Sequence, residues 1–319
     1  MPDNQPPPDV FRSPLHIEAR RPVRKRYEPL EAAALTDRAV DRHNSRDGAI
    51  FMAHASDGSA MPEPSFIDVG ESDPKRRIAV RKRAGDRPGV FWLGGFNSDM
   101  KGTKAQALDE WAAMQRRACV RFDYSGHGES GGAFADGTIG QWHEESLKVF
   151  DTFCDGPQIV VGSSMGGWMA LLLARALAKR GKAGSRATLA GLVLIAPAPD
   201  FTEDLMWKGF SQEVRDEIMT KGVWHRPSDY GEAYPITRNL IEEGRNHLLL
   251  SGTIDVGCPV RILQGAQDPD VPWRHAFALT HCLPSDDVVL TLVQDGDHRL
   301  SRPQDIARML GAVGELATA

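Results

Sequence analysis

An apolar run, Pro157-Gln158-Ile159-Val160-Val161, passes without a break into Gly162-Ser163-Ser164-Met165-Gly166-Gly167 and then into GWMALLLARALAKR. This one stretch restricts the fold more than any other. The run is apolar on both faces, as expected of a strand buried between two layers, and the stretch after it is helix-forming. Between them G-x-S-x-G requires a turn so tight that small residues must stand two positions before and after Ser164. Such a turn holds the serine side chain clear of a sheet and points the first amides of the following helix at it. Ser163 also carries a hydroxyl, but its place in the motif makes it a poor nucleophile. The bland alternative is a glycine-rich strand-to-helix turn whose serine only caps the helix.

The same alternation recurs on both sides of the turn. SFIDV, RIAVRKR, GVFWL (89–93), CVRFDY, ATLAGLVLIAP, PVRILQGAQD and VVLTLVQDGDH read as strands. KAQALDEWAAMQRR and GQWHEESLKVFDTFC read as helices, the first with Ala105, Leu108, Trp111, Ala112 and Met114 near helical spacing. This predicts an α/β protein with a mostly parallel sheet flanked by helices. Between about 198 and 258 the alternation lapses, which predicts a small helical lid over the strand ends, where open α/β sheets put their ligands. Residues 1–28, rich in proline and charge, read as a loosely attached or disordered tail. Residues 29–64 form an N-terminal extension with one helix-forming run (LEAAALTDRAVDRH) and no assignable role, and 65–319 form the folded domain.

An un-ionised hydroxyl needs a base, and the base needs an orienting group. With the serine on an elbow, the expected chain order is serine, acid, histidine. Strand RILQG ends at Ala266-Gln267-Asp268, and strand VVLTLVQ ends at Asp295-Gly296-Asp297-His298. Both positions lie just past strand ends, on the same edge as the elbow. Asp268 is preferred over Asp270 because it follows its strand at the shorter loop distance, and His298 is the histidine placed beyond both elbow and acid. An oxyanion hole is the remaining requirement. Its donors are expected to be the amides of Met165, next after the serine, and Phe96, in the loop Gly94-Gly95-Phe96-Asn97-Ser98. The Asn97 side chain is a further possible donor, and Gly94-Gly95 could be only a tight turn. Together these features predict the α/β-hydrolase fold.

Other features are read as structural. Asp123-Tyr124-Ser125-Gly126-His127-Gly128-Glu129-Ser130 lacks the Lys-Ser/Thr ending of a phosphate loop and is taken as a loop shaping the active-site edge. His143-Glu144-Glu145 lacks the second histidine of a zinc motif, so no metal and no cofactor are expected. A net charge of −5 argues against broad attraction to nucleic acid or anionic lipid. The basic clusters Arg24-Lys25-Arg26, Lys75-Arg76-Arg77 and Arg81-Lys82-Arg83 are read as solvated surface. The 4 cysteines form no C-x-x-C pair and sit mostly in apolar runs, which fits free thiols in a reducing compartment. With no apolar span and no secretory h-region, the cytoplasm is the expected location. In the lid, Leu205, Met206, Trp207 and Phe210 are candidates for an apolar slot, or simply pack the lid onto the body.

The segments GGFNSDMKGTKAQALDEW, RFDYSGHGESGG, GPQIVVGSSMGGWMALLLA, MTKGVWHRPSDY, CPVRILQGAQDPDVPW and DGDHRLS add a narrower resemblance. Over roughly residues 65–315 the chain resembles one branch of the α/β hydrolases. That branch holds the mitochondrial acyl-protein thioesterase, also described as mycophenolic acid acyl-glucuronide esterase, and its bacterial relatives. The resemblance implies Ser164 as nucleophile, Asp268 as acid, His298 as base, and Phe96 and Met165 at the oxyanion. It also implies acyl thioester and acyl-glucuronide substrates. A mitochondrial address is the alternative for a eukaryotic chain.

The expected function is therefore hydrolysis of acyl thioesters or esters through an acyl-enzyme, on an acylated small molecule or S-acylated protein. A carboxylesterase for small xenobiotic or glucuronide esters is the alternative enzyme. A non-catalytic binding module on a hydrolase body is the alternative of another class. Oligomeric state has no signature in the sequence.

Overall fold

The computed structural model describes residues 63–71, 75–181, 186–227, 233–284 and 287–318. The expected tail, most of the extension and the run LEAAALTDRAVDRH lie outside the described residues. Eight strands form one sheet: β1 (Ser65–Val69), β2 (Arg76–Arg83), β3 (Asp86–Leu93), β4 (Arg117–Phe122), β5 (Gly156–Ser163), β6 (Ala187–Ile195), β9 (Val260–Gly265) and β10 (Val288–Val293). Their spatial order is β1-β2-β4-β3-β5-β6-β9-β10. Only β2 runs against the rest, pairing antiparallel with β1 and β4, while every other pair is parallel. The chain leaves β3 on one side for β4 and returns on the other for β5. That reversal opens a crevice between the carboxyl ends of β3 and β5, the expected ligand position in such sheets.

Alternation along the central strands sorts side chains into two cores. Val90 and Trp92 of β3, with Ile159 and Val161 of β5, pack against α1 (Thr103–Met114) and α7 (Pro303–Thr318). Phe91, Leu93 and Val160 face the opposite layer, where α2 (Ile139–Phe153), α3 (Met165–Arg180) and α6 (Trp273–Cys282) lie. Each such fully buried side chain contributes roughly 1.5–3 kcal/mol. Helix α3 is buried continuously from Met165 to Ala174, which accounts for its apolar composition on all faces. Helix α1 buries Ala105, Leu108 and Ala112 as its spacing predicts, but Met114, its last residue, is 66% exposed.

The segment between β6 and β9 differs from the expected purely helical one. It begins with a helical turn at Thr202–Met206 and includes α4 (Gln212–Lys221) and α5 (Arg238–Gly244). Between these helices, β7 (Val223–Arg226) and β8 (Tyr234–Thr237) pair as an antiparallel hairpin. Ser211 and Thr237 cap α4 and α5 by accepting the amides of Val214 and Leu240.

Two of the three basic clusters are not merely solvated. Arg76 reaches Glu145 at 2.6 Å and also pairs with Glu144, Arg81 pairs with Glu129 at 2.6 Å, and Arg83 forms two bonds to Asp109. Arg76 thus meets carboxylates of α2, Arg83 one of α1, and Arg81 one in the turn after β4. The cluster at 24–26 lies outside the described residues. Cys119, Cys154, Cys258 and Cys282 are free thiols, the first three buried. No helix of the described residues is long and apolar enough to cross a membrane.

Candidate active site

Ser164 stands between β5 and α3 with φ 54° and ψ −115°, a backbone state that L-residues avoid. Packing enforces it. A Cβ on Gly162 would lie 2.3 Å from the carbonyl oxygen of Gly166, and a Cβ on Gly166 would lie 2.0 Å from that of Leu93. The amide of Ser164 donates to Ile195 O at 2.9 Å, and its carbonyl accepts from Gly167 and Ala198. The elbow is thus tied to β6 as well as to its own helix.

His298 and Asp268 converge on this serine. Imidazole Nε2 lies 3.1 Å from Ser164 Oγ, and Nδ1 lies 2.8 Å from Asp268 Oδ2. The loops after β9 and β10 are pressed together, since a Cβ on Gly265 would lie 2.4 Å from Gly296 O and 2.5 Å from Asp297 O. Ala266 and Gln267 donate their amides to Val293 and Gly296 across the same junction. The Asp268 carboxylate is fully buried yet well supplied with donors. The amides of Asp270 and Val271 reach Oδ1 at 2.9 and 2.8 Å, and Gln264 Nε2 reaches Oδ2 at 3.1 Å. Asp270, the competing acid of the sequence reading, therefore serves Asp268 through its backbone. Held in this way, the carboxylate can fix the His298 tautomer whose Nε2 accepts a proton.

The loop after β3 closes over the elbow. A Cβ on Gly95 would already touch Ser163 O and Ser164 Cβ at 3.4 and 3.5 Å, so Gly95 permits the approach. Asn97, with φ 54°, donates its amide to His127 Nε2 at 3.2 Å, while His127 Nδ1 lies 3.0 Å from Ser125 O. An Nε2 that accepts leaves the proton on Nδ1, so His127 is a neutral bridge between two loops. Burial lowers its pKa, which favours that form. The sequence reading placed the 123–130 turn at the active-site edge but missed His127 as an anchor. A histidine between two glycines after a central strand was the available signal. Asp123 secures the same region by accepting the amides of Met100 at 2.6 Å and Glu129 at 2.8 Å. Met165 begins α3, so its amide belongs to the first turn, whose donors lack intrahelical acceptors.

The Phe96 ring enters an aromatic cluster with Phe134, Trp142, Phe201 and Tyr234. Phe201 and Tyr234 come from the segment between β6 and β9. Met206 is buried in the core, and Leu205, Trp207 and Phe210 pack half-buried against it. Trp207 lies under the guanidinium groups of Arg215 and Arg245, and Phe210 meets the edge of Trp224. Among the described residues, then, Phe201 and Tyr234 are the aromatic rings of this segment that touch Phe96. None of the four sequence candidates makes a ring contact with Phe96 among the described residues. The two ends of the segment are joined by Asp200, whose buried carboxylate accepts the amides of Leu249 and Leu250, each at 2.8 Å.

Among the described residues, Asp268, Asp270 and His298 form a group of three His, Cys, Asp or Glu side chains whose ligand atoms lie within 4.8 Å of one another. Two of these three, Asp268 and His298, are hydrogen-bonded to each other.

Similarity to known proteins agrees with the fold. Residues 88–309 match the Alpha/beta hydrolase family. The chain is 37% identical over 241 residues to the mitochondrial palmitoyl-protein thioesterase ABHD10 of Homo sapiens, covering 75% of this chain and 76% of the relative. A crystal structure from Agrobacterium vitis S4 superposes with a TM-score of 0.77 at 51% identity, covering 80% of this chain and 98% of that one. Alpha/beta hydrolase domain-containing protein 10 from mouse superposes with a TM-score of 0.71 at 34% identity, with the same two coverages. A switch-point crevice, a strained serine elbow and likeness along most of its length make this chain a member of the alpha/beta hydrolase family.

Proposed function

We propose that the protein is a serine hydrolase that cleaves acyl thioesters or esters through an acyl-enzyme. The observation that carries this is the unbroken line from Asp268 through His298 to Ser164, at 2.8 and 3.1 Å. Ser164 Oγ attacks the acyl carbonyl while His298 Nε2 takes its proton, and the buried Asp268 stabilises the imidazolium. The amides of Phe96 and Met165 receive the charge that develops on the carbonyl oxygen. His298 returns the proton to the leaving thiol or alcohol, and water enters by the same route to release the acid. The test is a fluorophosphonate probe followed by peptide mapping. The adduct is expected on Ser164, and an unlabelled protein would defeat the reading.

The relatives named as palmitoyl-protein thioesterases support a long acyl group, as does the cluster around Phe96. The segment from about 198 to 258 acts as a lid whose Phe201 and Tyr234 line the acyl path. In a series of p-nitrophenyl esters and acyl thioesters, kcat/KM is expected to rise from acetyl to medium or long chains. One buried methylene contributes about 0.8 kcal/mol, so two carbons raise the value roughly tenfold until the slot is full. A maximum at acetyl would rule out the acyl path. The proposed compartment is the cytoplasm for a bacterial chain. The relatives' mitochondrial designation supports the mitochondrion for a eukaryotic one.

A further inference from the structure

We infer that Lys104 is a positioning residue for His298, holding the turn that carries the imidazole from the first turn of α1. The inference rests on the reading of His298 as the base. Lys104 Nζ donates to the carbonyl oxygen of Arg299 at 2.5 Å and reaches Ser301 Oγ at 3.3 Å. Ser301 Oγ itself donates to Arg299 O at 3.0 Å. The held carbonyl belongs to the residue directly after His298.

That turn needs holding. Leu300 adopts φ 42°, the left-handed region, while its side chain is only 2% exposed. Its amide donates to Asp297 Oδ1 at 2.9 Å. A bulky residue in this state persists only where its surroundings over-determine it. Asp297 supplies one restraint from within the turn, and Lys104 supplies one from another element.

The placement is costly for a lysine. The cation is half-buried, sits near the positive end of a helix dipole, and faces Arg299. Burial, followed by Arg299, lowers its pKa to about 8, against the opposing pull of Asp297 and of Asp305 on α7. Asp305 is itself paired with Arg302 and Arg308. A lysine needed only for solubility would point outward. Lys104 also follows the loop that bears Phe96, so one backbone segment carries the proposed oxyanion donor and the restraint on the base.

The protonated ammonium makes charge-assisted bonds, and the neutral amine makes weaker ones. The rate is therefore expected to fall as pH rises through about 8. The test compares Lys104→Met and Lys104→Arg with the unmodified full chain, measuring kcat and KM on a p-nitrophenyl ester from about pH 6 to about pH 10. Lys104→Met is expected to lose about 10- to 100-fold in kcat, with KM changed less than about threefold, because a misplaced base slows chemistry more than binding. Its alkaline downturn disappears. Lys104→Arg stays charged throughout and is expected to recover part of kcat with no downturn near pH 8. A folded Lys104→Met enzyme with unchanged kcat and an unchanged downturn overturns the inference. If Lys104→Met does not fold, a downturn persisting in Lys104→Arg overturns it instead. An unmodified chain that neither turns over esters nor takes the probe on Ser164 defeats the hydrolase reading itself, which is a separate outcome.

Discussion

Ser164→Ala is expected to lower kcat on p-nitrophenyl esters by about 10⁵- to 10⁶-fold while leaving the fold intact. The substitution removes one oxygen and keeps the Cβ, so the strained elbow and its bonds to β6 and α3 remain. What disappears is the atom 3.1 Å from His298 Nε2, the only route from imidazole to acyl carbon in the proposed mechanism. A residual rate above that of water is expected, because the proposed oxyanion donors, the amides of Phe96 and Met165, are left in place. Adding His298→Ala should cost little more, since groups that act as a unit are not additive. Circular dichroism and an unfolding midpoint would verify folding of both variants. A folded Ser164→Ala protein with full turnover would remove the basis for the whole functional assignment.

Gly166→Ala is expected to damage the protein as a whole. The new methyl would be placed 2.0 Å from Leu93 O and 2.6 Å from Gly94 O, both backbone atoms of the central strand and its loop. No rotamer change can relieve the clash, because the obstacle is the sheet itself. Overpacking ordinarily costs 1–3 kcal/mol. Against unyielding backbone we expect roughly 3 kcal/mol or more, a large part of the ~5–15 kcal/mol that stabilises a domain. Gly209→Ala is the control. Its added carbon meets nothing within 4 Å, and its effect should stay within about 0.5 kcal/mol. Urea midpoints measure both. Equal midpoints would show that the elbow has room the geometry denies.

The centre of the sheet was legible because β3 and β5 are apolar on both faces and run into glycine. Runs such as GVFWL and PQIVVG leave little choice but a buried parallel strand, and the residues beyond their ends must share one edge. That is why Ser164, Asp268 and His298 could be named before their distances were known. Long-range pairing was harder to read. The hairpin of β7 and β8 is 4 residues on each side, and it includes His225, Arg226 and Pro235. No period of two is visible in so short and polar a stretch, and its partner is fixed by tertiary packing. The arginines of β2 were misread for a related reason, since their carboxylates lie on other elements, Glu144 and Glu145 on α2, Asp109 on α1 and Glu129 in the turn after β4. Lys104 and Asp200 carry no motif at all, and His127 has only the two glycines that flank it. Each acts through a backbone group of a distant loop, and a backbone group has no letter in a sequence.

The Asp200 cradle bears on how such a protein can change over generations. One carboxylate gathers the amides of Leu249 and Leu250, so an excursion of 49 residues departs from and returns to nearly the same point. The entropy of closing a loop grows only with the logarithm of its length. A longer, shorter or wholly different excursion can then be grafted between those clasped ends without displacing the hydroxyl, the imidazole or the acid beneath. Under the proposed mechanism, the choice of substrate becomes a replaceable module, and the bond-breaking apparatus a fixed chassis.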